Sequence, residues 1–131
     1  MKKKTIWVID DDAIYQTIIN KLIQKSGVFS VLSSFINGKE AIIALNNSLE
    51  NDDSIPDIIL LDINMPVMDG WEFMEEIKRI KSKISKKIII YIVSSSIAIE
   101  DKNKSKTFTD IIGYIPKPIS VADLLSIVVE E

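Results

Sequence analysis

Short runs of branched aliphatic residues alternate along this chain with longer stretches that have helical spacing. The clearest runs cover residues 6–9, 58–61 and 88–93, and weaker candidates cover residues 29–32 and 114–115. Continuous apolar runs of this length are typical of strands that are buried on both faces. Such strands belong to parallel sheets that are covered by helices. The alternation of apolar runs with helical stretches therefore constrains the fold more than any other feature of the chain.

The stretches between the runs carry apolar residues at the spacing of one helical face. The four stripes consist of Ile14, Ile18, Ile19, Leu22 and Ile23; of Ala41, Ile42, Leu45 and Leu49; of Phe73, Ile77 and Ile80; and of Val121, Leu124, Leu125 and Val128. Gly27 is a typical C-terminal stop for the first helix, and Ser120 with Asp123 resembles a capping box before the last. Residues 97–112 are ambiguous, and their charged part, residues 100–106, indicates a solvated helix.

The order of elements is therefore β-α-β-α-β-α-β-α-β-α. Strict alternation predicts an α/β fold in which a five-stranded parallel sheet is covered by helices on both faces, through right-handed crossovers. A chain of 131 residues suffices for one domain, so we expect a single domain over residues 1–131. Glu131 directly follows the last predicted helix, which leads us to expect no output domain.

Composition removes several classes of function. The chain has no cysteine and no histidine, which excludes disulfides, thiolate metal sites, Ser-His-Asp triads and a histidine phosphodonor within it. The net charge is −3, from 16 basic and 19 acidic residues, whereas a nucleic-acid binder usually has a clear basic excess. The apolar run after Lys2, Lys3 and Lys4 is too short for a signal peptide or a membrane span. We therefore expect a cytoplasmic protein that binds neither nucleic acid nor membrane.

Polar residues follow four of the predicted strands. Because ligands bind beyond the carboxyl ends of the strands in an open parallel sheet, we expect these residues to converge on one edge. They are Asp10, Asp11 and Asp12 after the first strand, Asp62 after the third, Ser94, Ser95 and Ser96 after the fourth, and Lys117, flanked by prolines, after the fifth. Asp12 is better explained as a helix cap than as a metal ligand, and capping is also an alternative role for Asp10 and Asp11.

These residue types indicate phosphoryl chemistry. Clustered carboxylates repel one another unless a cation lies between them. Oxygen-only ligands favour a hard ion, and a few carboxylates with open positions suit Mg²⁺, which keeps water and shares phosphate oxygens. A lysine and a hydroxyl at the same edge are natural donors to phosphoryl oxygens, and a carboxylate can be the nucleophile that forms an aspartyl phosphate.

Four stretches of the chain resemble the receiver domains of two-component response regulators. They are Val8-Ile9-Asp10-Asp11-Asp12, Leu60-Leu61-Asp62-Ile63-Asn64-Met65-Pro66 with Met68-Asp69-Gly70, Val93-Ser94-Ser95, and Tyr114-Ile115-Pro116-Lys117-Pro118. They occur in the family's order and at its spacing, and the resemblance covers essentially the whole chain. It implies a doubly wound, flavodoxin-like (βα)5 fold and a single-domain regulator similar to those of chemotaxis.

The resemblance implies a phosphoacceptor inside a metal site. Asp62 would be the phosphoacceptor and would belong to the ligand set of Mg²⁺. Asp11 would bind Mg²⁺ directly, and Asp10 would do so directly or through water. The backbone carbonyl of Asn64 would be a further protein ligand.

The resemblance also implies a switch. Lys117 would pair with the carboxylate of Asp62 and later with the phosphate, and the peptide bond after this lysine is commonly cis in the family. Ser94 would be the switch hydroxyl, with Ser95 as the alternative. Tyr114 would be the aromatic residue that moves with it, although a tyrosine in a short strand is also often a half-buried packing residue.

Partners follow from the same resemblance. The donor would be a histidine kinase or a histidine phosphotransfer protein, the target would be a downstream protein, and the chain would be a monomer or a phosphorylation-dependent dimer. Such a receiver is a slowly self-dephosphorylating switch rather than a turnover enzyme. Two alternatives are a pseudo-receiver that only binds proteins, against which the full set of site residues argues, and a Mg²⁺-dependent phosphatase. The latter usually has a second carboxylate two residues after its nucleophile, where this chain has Asn64.

Overall fold

The computed structural model describes residues 3–95 and 98–130, without the side chains of residues 32 and 128–130. Within these ranges, five strands alternate with five α-helices. The strands are β1 (Lys4–Ile9), β2 (Phe29–Phe35), β3 (Ile58–Leu61), β4 (Ile89–Ser94) and β5 (Ile111–Pro116). The helices are α1 (Ala13–Ser26), α2 (Gly38–Asn47), α3 (Gly70–Ile80), α4 (Ile99–Ser105) and α5 (Val121–Glu130), with 3₁₀ turns at Asp52–Ser54 and Lys81–Lys83. Several residues that carry sequence predictions lie outside the described residues, namely Lys2, Ser96, Ile97, Glu131 and the side chain of Val128.

The strands form one parallel sheet in the order β2-β1-β3-β4-β5. This confirms the predicted α/β fold and its doubly wound topology. The two outer strands are longer than their apolar runs predicted. Residues of β5 alternate between half-buried and exposed, because an edge strand is covered less completely than a central one. An alternating pattern is harder to recognise in the sequence than the fully buried run of β3.

The core lies on both faces of the sheet. On one face, residues such as Trp7 and Ile59 pack against α2 and α3. On the other face, residues such as Val8 and Leu60 pack against α1 and α5. Helices therefore cover both faces as predicted. No helix within residues 3–95 and 98–130 is both long and apolar enough to cross a membrane.

Helix α1 is rotated relative to its predicted apolar stripe. Ile14 is 76% exposed and Ile18 is 49% exposed, although the rest of the stripe is buried or partly buried. The buried Gln16 fixes this rotation, because its Nε2 atom donates hydrogen bonds of 2.7 Å to the backbone oxygens of Asp10 and Phe35. The apolar stripe predicted for α1 is therefore wrong at Ile14 and Ile18, because Gln16 takes the inner face of the helix, where its amide is hydrogen-bonded.

The predicted turn residues set the helix ends. Gly27 ends α1 in the left-handed conformation, with φ of 74°. Ser120 and Asp123 form the predicted capping box of α5, since each backbone N–H donates to the other's side chain, at 2.9 and 3.1 Å. Helix α2 ends at Asn47, so Leu49 lies beyond the helix on which its stripe was predicted.

Candidate functional site

Four strand ends meet at one edge of the sheet, as the sequence predicts. Strands β1 and β3 are neighbours, so Asp10 and Asp62, which directly follow them, lie side by side. Strand β4 ends at Ser94, and Lys117 directly follows β5. Asp10, Asp62 and Ser94 are only 3%, 7% and 1% exposed, which is unusual for polar side chains at the end of a strand.

Three carboxylates form an acidic cluster at this edge. Asp10, Asp11 and Asp62 each place one oxygen within 4.8 Å of the other two. Asp11 is exposed and the other two are buried. Asp12 instead caps α1, because its Oδ1 accepts hydrogen bonds from the N–H groups of Ile14 and Tyr15 at 3.0 and 3.1 Å. The adjacent acidic residues of the sequence thus divide between a cluster and a helix cap.

Lys117 reaches into the acidic cluster. Its Nζ atom is 2.6 Å from Oδ2 of Asp10 and 3.6 Å from Oδ2 of Asp62. The predicted pair with Asp62 is therefore present at ion-pair distance, although the lysine lies closer to Asp10. Its backbone N–H donates to the carbonyl oxygen of Ser94 at 2.9 Å, which anchors it to the end of β4, and its peptide bond to Pro118 is cis.

The electrostatics of the site disfavour the ionised form of Asp62. Burial and the negative charge of Asp10 raise the pKa of Asp62 to about 6, although Lys117 opposes this rise. For Lys117, burial lowers the pKa, but the hydrogen bond to Asp10 and the charges of Asp62 and Asp10 raise it above its ordinary value. A hard cation among the oxygens would relieve the repulsion, so the donor set fits Mg²⁺.

The loop after β3 holds Asp62 against the start of α3. The N–H of Gly70 donates to the carbonyl oxygen of Ile63 at 2.8 Å. A Cβ atom at Gly70 would lie 2.7 Å from the carbonyl oxygen of Asp62, so only glycine permits this approach. Val67 in the same loop has a φ of 69°, which is strained for a β-branched residue. Asn64 is exposed in this loop, and the role of its carbonyl stays a prediction.

The proposed switch residues lie on neighbouring strands. Ser94 is buried at the end of β4, whereas Ser95 is exposed. Tyr114 pairs with Ile92 in the register of β4 and β5 and is 42% exposed. The Nζ atom of Lys102 lies 5.0 Å from the centroid of its ring. In this structure the tyrosine therefore lies at the outer edge of the sheet, next to α4.

Two residues of α1 belong to the site and were not predicted. Gln16 holds the backbone carbonyl of Asp10, as described above. The ring of Tyr15 lies 4.4 Å from Nζ of Lys117, measured to its centroid. Both residues lie one helical turn before the buried Ile19, so helical spacing permits their place on the inner face of α1 but does not by itself predict it.

Comparisons with known proteins agree with this geometry. Residues 6–129 match the family model of the response regulator receiver domain. The DNA-binding transcriptional regulator NtrC of Salmonella typhimurium is 27% identical over 128 residues, which are 98% of this chain and 24% of that protein. The nitrate/nitrite response regulator protein NarL of Escherichia coli is 31% identical over 121 residues, which are 92% of this chain and 51% of that protein. The crystal structure of a two-component response regulator from Cytophaga hutchinsonii is similar with a TM-score of 0.87 at 28% identity, covering 98% of this chain and 97% of that one. The chain thus spans about a quarter of NtrC and about half of NarL.

Proposed function

Because the chain belongs to the family of response regulator receiver domains, we propose that it is a phosphorylatable switch that accepts a phosphoryl group on Asp62 in a Mg²⁺-dependent reaction. Receiver domains are signalling domains of two-component systems. The observation that carries the proposal is the acidic cluster of Asp10, Asp11 and Asp62 with the ammonium of Lys117 inside hydrogen-bond distance of Asp10. A carboxylate nucleophile, oxygen ligands and a cation for phosphoryl oxygens are thereby brought together.

The three carboxylates and the backbone carbonyl of Asn64 would hold the Mg²⁺ ion. When bound, the ion would neutralise the carboxylates and the oxygens of the transferred phosphoryl group. Asp11 is the exposed member of the cluster, which supports its role as the ligand that meets the ion first. Both oxygens of Asp10 already contact protein donors, the N–H of Asp12 at 2.9 Å and the ammonium of Lys117 at 2.6 Å. Each carboxylate oxygen has two lone pairs, so Asp10 could keep both contacts and still bind the ion directly or through water.

In the transfer step, a carboxylate oxygen of Asp62 attacks the phosphorus atom of a phosphohistidine. The P–N bond breaks, and its electron pair stays on the imidazole nitrogen of the donor. Asp62 attacks in its ionised form, which a cation bound among the carboxylates would favour. Lys117 then balances the charge of the phosphoryl oxygens. The donor is a histidine kinase or a histidine phosphotransfer protein, since these proteins supply receiver domains and this chain has no histidine of its own.

The signal would leave the site through the ends of β4 and β5. A phosphoryl group adds a charge of about −1.5 to −2 and three acceptor oxygens. Ser94 is buried and Ser95 is exposed, which supports Ser94 as the hydroxyl that turns toward the phosphate. Its movement would open space for Tyr114, now exposed beside Lys102. A downstream protein would recognise the resulting change in the surface formed by α4, β5 and α5.

The aspartyl phosphate would be long-lived and would not be the short-lived intermediate of a turnover enzyme. Position 64, two residues after the nucleophile, holds an asparagine, whose amide cannot act as a general base for water. We therefore assign the chain the role of a slowly self-dephosphorylating switch.

A labelling experiment tests this function. The chain is incubated with a small phosphodonor, with Mg²⁺ or with chelator, and the label is then followed after the donor is removed. A switch gives a lasting, Mg²⁺-dependent label, whereas a pseudo-receiver gives no label and a hydrolase loses it as fast as it forms. Asp110→Asn serves as the control, since Asp110 pairs with Lys81, outside the acidic cluster, at 3.2 Å. This variant should be labelled like the wild type, and an unlabelled wild type would contradict the proposal.

A further inference from the structure

The ammonium of Lys117 lies close both to carboxylates and to an aromatic ring. Its Nζ atom is 2.6 Å from Asp10, 3.6 Å from Asp62 and 4.4 Å from the centroid of the Tyr15 ring. The side chain of Lys117 is only 16% exposed, so water reaches it from few directions. A cation at this distance from a ring centroid is attracted by the negative face of the ring.

The ring and the lysine are fixed by different elements. Tyr15 lies in the first turn of α1, where its N–H donates to the capping Oδ1 of Asp12 at 3.1 Å. The ring packs against the core cluster between the sheet, α1 and α5. Lys117 follows β5 and is anchored through its backbone to Ser94. The contact between ring and ammonium therefore depends on tertiary structure and not on sequence proximity.

We propose that Tyr15 is a positioning residue for Lys117, and that its ring face holds the ammonium over the acidic cluster in readiness for phosphoryl oxygens. The inference rests on the proposed function, because it assigns Tyr15 to the same site. A lysine side chain is a flexible chain with a strongly hydrated charge, so carboxylates alone leave its ammonium many placements. Attraction to the ring face favours the placement in which the ammonium lies next to both the ring and the carboxylates.

Two substitutions of Tyr15 separate the effect of its ring face from the effects of its hydroxyl group and of its size. Tyr15→Phe keeps the face, whereas Tyr15→Leu keeps much of the apolar bulk and removes the face. We expect Tyr15→Leu to slow the labelling of Asp62 by about 2- to 10-fold, the range of a partly exposed cation–π contact. Tyr15→Phe should restore most of the lost rate.

A double-mutant cycle separates positioning from packing. If Tyr15 acts through Lys117, then Tyr15→Leu should cause no further slowing in a Lys117→Ala background. If Tyr15 only stabilises the fold, the two substitutions should slow labelling independently, and equal slowing by Tyr15→Leu in both backgrounds would overturn the proposal. Melting temperatures of all variants, measured in parallel, identify any loss of rate that comes from unfolding.

A second measurement needs no phosphorylation. Protons above a ring face are shifted upfield by the ring current, so the ε-methylene protons of Lys117 should be shifted upfield in the NMR spectrum of the wild-type chain. The shift should persist in Tyr15→Phe and disappear in Tyr15→Leu. Ordinary lysine shifts in the wild type would overturn the proposal even if no variant folds or takes label. An unlabelled wild type with shifted lysine protons would instead reject the proposed function while keeping the placement of Lys117 by Tyr15.

Discussion

Replacing Asp62 by asparagine should make the folded domain more stable at neutral pH. Burial and the charge of Asp10 raise the pKa of Asp62 to about 6, from 3.8 without these influences. Between these pH values the folded state binds more protons than the unfolded state, so stability falls as the pH rises. Above pH 6 the ionised carboxylate destabilises the fold, and the neutral amide of Asp62→Asn removes that cost.

The expected gain in the free energy of unfolding follows from the shift in the pKa of Asp62. About 2 pKa units correspond to about 3 kcal/mol, and solvent at the open edge of the sheet reduces this to about 1–2 kcal/mol. Urea unfolding at pH 7.5 and pH 4.5 in chelator, followed by tryptophan fluorescence, measures the difference. We expect Asp62→Asn to gain about 1–2 kcal/mol over the wild type at pH 7.5 and less than about 0.5 kcal/mol at pH 4.5, where Asp62 is protonated in the folded state.

Asp57 provides a matched control, because its replacement by asparagine should lower the stability of the domain instead of raising it. Burial raises the pKa of Asp57, but hydrogen bonds from Thr5 and Lys86 outweigh burial and lower it below its ordinary value. Its stabilising contribution is present at neutral pH and is lost as the pH falls through its lowered pKa. Asp57→Asn should therefore cost about 1–2 kcal/mol at pH 7.5. If Asp62→Asn is destabilised at pH 7.5 as Asp57→Asn is, the argument that Asp62 is held at a cost for its function is refuted.

Four further substitutions test other parts of the site. Asp11→Asn should abolish Mg²⁺-dependent labelling and leave the metal-free domain at least as stable, because it removes a repelling charge; full labelling in chelator would contradict this. Ser94→Ala should leave Asp62 labelled but weaken phosphate-dependent partner binding by roughly tenfold or more, and equal affinities would assign the coupling to another hydroxyl. Val67→Asn should raise the free energy of unfolding by about 1 kcal/mol, since asparagine tolerates the positive φ of 69° better than valine, and an unchanged urea midpoint would argue against strain. Gly70→Ala should lower the melting temperature and slow labelling, because its Cβ would lie 2.7 Å from the carbonyl oxygen of Asp62; wild-type values for both would show that the loop adapts.

The convergence of polar residues at one edge of the sheet could be predicted from the sequence, because it requires only that the strands run parallel. Once the apolar runs are taken as parallel strands, the residues after them must meet at one edge. Asp10, Asp62, Ser94 and Lys117 lie there in the structure. The extents of β2 and β5 were harder to predict, because β5 alternates in burial and serines interrupt β2, so neither strand has a continuous apolar run.

Contacts within the site depend on tertiary details that no periodicity carries. The rotation of α1 is set by hydrogen bonds from Gln16 to two strand ends, and the apolar stripe could not reveal it. Lys117 lies closer to Asp10 than to Asp62 because the backbone at Ser94 and the ring of Tyr15 together define its place. Motif spacing identified the chemical groups, whereas their pairing required the structure.

The most direct test of the central claim is the location of the phosphoryl group. The chain is labelled with a small phosphodonor and Mg²⁺, treated with borohydride, which reduces an acyl phosphate to an alcohol, and mapped by peptide mass spectrometry. The account predicts that residue 62, and no other carboxylate, is converted to homoserine, and that chelator prevents the conversion. Conversion at another aspartate, or undiminished conversion at residue 62 in chelator, would contradict it.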